Sequence, residues 1–186
     1  MKARTIVFLM HVLAAGVLRA APAFDHERLM QLLSESPSSE VSYVEEKFSA
    51  LLARPVVSSG TLVYVRPDVV EKNMAVPRKE SFRIAGQELT VTRAGRQRRI
   101  ALSSEPLLAA FAAGLRGVLS GDARQLGEYF RLALEGTESD WKLEMTPIDE
   151  EIARYVKGIV VSGRGARVRQ IEVNESSGDR SVLTVK

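Results

Sequence analysis

Apolar and polar positions alternate along this chain with a period that switches between that of a helix and that of a strand. FDHERLMQLLSES puts Leu29, Leu32 and Leu33 on one stripe behind a capping Asp25, which predicts a short helix stopped at Pro37. Period-two stretches follow. VSYVEEKFSALL, SSGTLVYVRPD, VVEKNMAVP, SFRIAGQELTVTR and RRIAL read as strands, the fourth as a hairpin turning at Ala85–Gln87. VVEKNMAVP, stopping at Pro77, is expected at a sheet edge. The period then becomes helical in SEPLLAAFAAGLRGVLSGD, with a Ser–Glu–Pro start and a Ser120–Gly121 end. Its apolar face holds Leu107, Leu108, Phe111, Leu115, Val118 and Leu119. From Tyr129 the strands EYFRLALEG, DWKLEMTP, YVKGIVVSG, RVRQIEVNE and DRSVLTV resume, with a helical turn near Ile148–Ile152.

An antiparallel sheet of that many strands must curl, and two apolar helices can cover its concave face. The expected fold is therefore α+β: a strongly curved antiparallel half-barrel over a covered cavity. Within SSGTLVYVRPD, alternation sets Leu62, Tyr64 and Arg66 on one face before Pro67 ends the ladder. Arg66 is then either a solvated strand end or a guanidinium at the mouth of an apolar cavity.

The first 23 residues change the charge picture. Lys2 and Arg4 precede an apolar run from Ile6 to Leu18, and Ala21-Pro22-Ala23 fits a small-residue cleavage site. The run is too short to span a bilayer, which takes about 20 apolar residues. Residues 1–23 are expected to be a cleaved secretory signal, with an uncleaved anchor as the alternative, and 24–186 a single domain. The whole chain carries a formal +3, but Lys2, Arg4 and Arg19 lie in the leader and no acid does. The mature chain is formally neutral, which removes the compositional case for nucleic-acid binding.

Candidate chemistry is sparse. The chain has no cysteine, which excludes disulfides, thiolate metal sites and an acylated N-terminal Cys. One histidine, His26, remains in the mature part, too few for a nucleophile–His pair or a multi-His metal site. No G-x-S-x-G, P-loop or G-x-G-x-x-G occurs. Glu45 and Glu46 point to opposite faces of a strand, and Asp149–Glu151 reads as a solvated turn. No catalytic residue, metal or cofactor is expected. RAGRQRR, Arg93–Arg99, reads as a solvated hairpin tip or as a surface for an acidic partner or anionic lipid headgroups.

Several motifs together resemble the periplasmic outer-membrane lipoprotein carrier proteins (LolA-like). They are the N-terminal helix, Y-x-E at Tyr43–Glu45, G-x-L-x-x-x-R-P at Gly60–Pro67 and G-x-x-L at Gly86–Leu89. The apolar helix from Pro106, W-x-L-x-x-x-P at Trp141–Pro147 and D-R-S at Asp179–Ser181 complete the set. The resemblance implies an incomplete β-barrel with a helical lid over its concave face, whose apolar interior shields acyl chains. It also implies that Arg66 bonds lid carbonyls when the cavity is empty. Leu62, Tyr64, Arg66, Leu107, Leu108, Phe111 and Leu115 are accordingly the candidate lipid and lid residues.

The implied partners are an acylated lipoprotein or lipid cargo, an inner-membrane release complex or exporter, and an outer-membrane acceptor, with the carrier a periplasmic monomer. Two departures point towards a specialised relative. Val70 stands near a position where the family often has an aromatic, and the sequence stops after DRSVLTV. The alternative function is thus a carrier of a non-lipoprotein hydrophobic molecule working with an inner-membrane exporter. A third reading, a carboxylate-dependent hydrolase, needs two acids converging on the concave face.

Overall fold

The computed structural model describes residues 24–186, so the expected signal segment lies outside the described residues. The elements in chain order are α1 (His26–Ser34), β1 (Ser39–Phe48), β2 (Val56–Val65), β3 (Val69–Val76), β4 (Glu80–Ala85), β5 (Glu88–Arg93) and β6 (Arg96–Ala101). A 3₁₀ turn at Leu102–Ser104 leads into α2 (Pro106–Ser120) and α3 (Ala123–Tyr129). Then come β7 (Phe130–Thr137), β8 (Asp140–Pro147), α4 (Glu150–Ala153), β9 (Val156–Arg164), β10 (Arg167–Glu175) and β11 (Arg180–Val185). All eleven strands form one antiparallel sheet, ordered β6-β5-β4-β3-β2-β1-β11-β10-β9-β8-β7. The sheet is curved and unclosed: β6 and β7 are its edges, and the helices lie between them in sequence.

Two expectations about the order of elements are corrected. VVEKNMAVP is not an edge strand, because β3 pairs with β2 on one side and β4 on the other. Pro77 lies just past its last residue, so its missing N–H interrupts no ladder. The strand expected over EYFRLALEG starts later: Glu128 and Tyr129 end a helix, α3, and β7 begins at Phe130. Asp122 caps the helix by accepting from the Gln125 N–H at 2.9 Å, and its single buried side chain, Leu126, packs against Gly117 of α2. Seven residues with one apolar anchor carry too little periodicity to be seen in sequence; the packing decides the element.

The two apolar helices form where the pattern places them. Asp25 caps α1, accepting from the Arg28 N–H at 2.9 Å, and Leu29 and Leu33 are fully buried. Pro106 opens α2, and Gly121 closes it in the left-handed region at φ 70°, where its lack of a Cβ lets the chain pass against Met30 and Ser34 of α1. The larger core joins α1, α2, α3 and α4 to β7–β9 through Leu29, Val118, Phe130, Trp141, Leu143, Met145 and Val161. A smaller core joins α2 to β5 and the 3₁₀ turn through Leu89, Leu102 and Ala112. Among the described residues no helix is long and apolar enough to cross a membrane.

Register at the centre of the sheet depends on a glycine. β2 shifts against β3 between Ser59 and Gly60, and a Cβ on Gly60 would run into the Asn73 carbonyl. Gly60→Ala should therefore destabilise the fold by about 3 kcal/mol, measured as a lower urea midpoint at unchanged slope. An unchanged midpoint would show that the two strands do not approach this closely.

Candidate functional site

Register sorts the strand residues between the two faces, and the concave one carries the candidate site. Opposite Tyr43 stand Gly60 and Val185; Leu62 faces Val41, and Tyr64 stands between Ser39 and Val70. The same face continues through Ile84 and Leu89 on one wing and through Leu183, Ile171, Val161 and Leu143 on the other. Leu62 and Tyr64 therefore share the concave floor, Leu62 half-buried and Tyr64 buried. The Tyr64 hydroxyl donates to the Pro67 carbonyl at 3.2 Å, and burial raises its pKa. Tyr43, also buried, has a hydroxyl with no hydrogen-bond partner among the described residues; burial first and the Glu45 charge second raise its pKa.

The α2 helix lies across this floor and touches both wings. Leu107 and Phe111 pack on the larger core, while Leu108 packs on the smaller one beside Phe82, Ile84 and Ile100. Leu115 is half-buried and belongs to neither core. Small residues allow the close approach: a Cβ on Gly114 would meet Met145 and the Phe130 ring at 3.1 Å. The sole tryptophan, Trp141, sits in the larger core on the concave face of β8, and its indole N–H donates to the Gly165 carbonyl at 2.9 Å.

Arg66 lies one residue past the end of β2 and is exposed. Its guanidinium donates to the Ser36 carbonyl at 3.0 Å, and its own N–H donates to the Ser38 hydroxyl at 3.1 Å. The carbonyl it holds is therefore in the connection after α1, and not on α2. A second arginine, missed in the sequence, ties α2 itself. Arg116 is 7% exposed and donates to the Gly86 carbonyl in the β4–β5 turn, whose N–H donates in turn to Asp68 at 3.0 Å. Its Nε–H is buried without a partner, and burial lowers its pKa despite the nearby Asp68. One signal was present: Arg116 is the single charged residue in a helix otherwise made of apolar, small and Ser side chains.

Towards the end of the trough where β1 finishes, the floor turns from apolar to ion-paired. Lys47 donates to Glu175 at 2.8 Å, Lys72 pairs with Glu45, and the Ser58 hydroxyl donates to the same Glu45 at 3.1 Å. The buried Glu80 takes two bonds from Arg93, at 2.8 and 3.0 Å. Glu45 and Glu80 stand on strands three apart in the sheet order, each paired with its own cation. Glu46 is exposed on the opposite face, and Asp149 is occupied capping α4 by accepting from the Glu151 N–H at 2.7 Å. A cleft of about 500 Å³ opens between β8, β9 and β10 at Glu144, Lys157 and Asp179, and another of about 470 Å³ at the Glu138 and Gly165 turns. None of the candidate lipid residues lines either cleft.

The site is thus the concave face of an unclosed sheet, with α2 and its neighbouring helices packed against it. Residues 18–184 match the outer membrane lipoprotein carrier protein, LolA-like, family. The chain belongs to that family. Among curated proteins no sequence relative matches this LolA-like chain. Of solved structures, a LolA superfamily protein from Nitrosomonas europaea is similar at 13% identity and TM-score 0.47, covering 88% of this chain and 92% of that one. A DUF1329 family protein from Desulfovibrio piger is similar at 14% identity and TM-score 0.49, covering 87% and 90%. Lipoprotein LppX from Mycobacterium tuberculosis is similar at 10% identity and TM-score 0.42, covering 87% and 91%.

Arg116 has two opposed effects on the packing of α2. Its bond to Gly86 contributes about 1.5–3 kcal/mol, whereas a buried and partly unsatisfied cation costs several. Among the described residues the Nε–H has no partner, so the loss of hydration outweighs the single bond. Arg116→Met, which keeps the apolar stem, should raise Tm and slow amide exchange in α2. Faster exchange in α2 would show that the tie outweighs the desolvation.

Proposed function

We propose that this protein is a periplasmic, non-catalytic carrier that shields acyl chains of lipoproteins or lipids against the concave face of its half-barrel. In this reading α2 is the lid, and cargo moves between an inner-membrane release complex or exporter and an outer-membrane acceptor. The observation that carries it is the pairing of α2 with the floor. A helix bearing Leu107, Leu108 and Phe111 packs its apolar face on both wings of the concave floor, and among the described residues its side-chain hydrogen bond to the wall comes from Arg116.

The energetics suit transfer better than storage. Burying acyl chain yields roughly 0.8 kcal/mol per CH₂, so one long chain carries a gross drive of about 10 kcal/mol. A chain entering beneath α2 replaces the helix's own apolar face against the same floor, so much of that drive is returned by the contacts displaced. The net preference is then small enough for polar ties of a few kcal/mol to bias it either way. Arg66, tying the β2–β3 corner to the connection after α1, supports the closed form in this reading, and Arg116 opposes it. The alternative, a carrier of a different hydrophobic molecule working with an exporter, draws support from the ion-paired floor. A row of paired charges beside an apolar trough suits an amphiphile with a compact polar head.

Trp141 offers a direct test, since it is the only tryptophan and is buried beneath the helices. A fatty acid brominated along its chain should quench most of the Trp141 emission at saturation, and the unbrominated acid should not. Binding without quenching would place the lipid elsewhere, and no binding would remove the carrier reading.

A further inference from the structure

One end of the barrel carries a surface that the lipid trough does not account for. The β1–β2, β3–β4 and β5–β6 hairpins all turn at the same end of the sheet, neighbouring tips about 10 Å apart by strand spacing. On the first of them Leu51 is 94% exposed, with Leu52, Val56 and Val57 also exposed beside it, and Val76 is exposed on the next. This is a built turn: the Leu52 N–H donates to the Ser49 carbonyl at 3.0 Å and the Leu51 N–H to the Ser49 hydroxyl at 3.4 Å. The turn thus groups Leu51 and Leu52 with Val56 and Val57 as exposed apolar side chains on one tip.

Basic side chains surround these apolar ones. Arg54 shares the first tip, Arg78 and Lys79 form the second, and Arg96 stands on the third, all exposed. The segments 49–57, 76–79 and 93–99 contain no Asp or Glu. Of the acids at this end, Glu80 is buried under Arg93, and Asp149, Glu150 and Glu151 belong to α4 and its cap on the far wing; Glu46 is exposed opposite Val57, and Glu175, paired with Lys47, and Asp179 lie at the adjoining β10–β11 turn. Arg98 and Arg99 have a sufficient role in blunting the β6 edge against strand pairing. Edge protection does not explain Leu51, Arg54, Arg78 or Lys79, which lie on inner hairpins.

We propose that these three hairpin tips dock the protein on an anionic lipid bilayer, with Leu51 and Leu52 entering the interface and Arg54, Arg78, Lys79 and Arg96 facing the headgroups. Apolar side chains ringed by cations are the combination that partitions to such an interface, each cation contributing about five-fold. The surface lies at the ion-paired end of the trough, so docking would turn that end towards the membrane. The proposal goes beyond the carrier reading and does not depend on it.

Vesicle flotation of the full mature chain tests it. The protein should float with phosphatidylcholine vesicles containing phosphatidylglycerol at low salt, bind neutral phosphatidylcholine at least about ten-fold more weakly, and detach as salt screens the cations. Leu51→Ser with Leu52→Ser should reduce anionic-vesicle binding at least about ten-fold, as should Arg78→Glu with Arg96→Glu. Both variants should retain Trp141 quenching by free brominated fatty acid, which separates docking from cargo binding. Absence of flotation at low salt, equal binding to both vesicle types, or undiminished binding by either variant would overturn the proposal. Capture by an acidic protein partner without vesicle binding would overturn it as well.

Discussion

The fold depends on covering the concave apolar face of a sheet that does not close. Eleven strands curl far enough to make a trough, but β6 and β7 do not meet, so the apolar side chains of the floor need another surface against them. The α2 helix supplies it. Ala110, Ala112, Ala113, Gly114 and Gly117 are all buried, and their small size lets the helix backbone come close enough for Leu107 and Phe111 to serve one wing and Leu108 the other. The surrounding elements take their positions from this contact. Packing of Leu126 beneath Gly117 sets α3, and Gly121 allows α1 to abut the end of α2.

A cover held mainly by apolar packing can be exchanged for other apolar matter of similar volume. What distinguishes the covered state from the exchanged one is then the polar groups that change partners. Arg66 is exposed and makes its bond to Ser36 in high dielectric, where it gains little and loses little. Arg116 is buried, makes one bond and leaves Nε–H without an acceptor, so its removal from water is only partly offset. Of the two arginines, the inner one has the larger effect on the packing of α2.

The curved antiparallel sheet and the two long apolar stripes were legible in the sequence, because period two and period 3.6 are properties of the chain that packing only selects. Leu62 and Tyr64 could be assigned to one face for the same reason, and the register puts both on the concave side. Order within the sheet was less accessible: Pro77 suggested an edge, but a proline one residue beyond a strand leaves both ladders intact. Helix α3 has a single anchoring side chain and exists through its contact with α2. The partner of Arg66 and the burial of Arg116 depend on long-range geometry, as do the ion pairs Lys72–Glu45 and Arg93–Glu80. Leu51 looked in the sequence like the continuation of a strand; only the turn at Ser49 puts it outside.

Acyl cargo beneath α2 is tested most directly by native mass spectrometry of the mature protein purified gently from its own cell envelope. The predicted result is a population carrying a non-covalent adduct with the mass of an acylated lipoprotein or a lipid, released when the ion is activated. A bare chain under the same conditions, which also fails to take up added fatty acid, would contradict it and leave α2 as ordinary core.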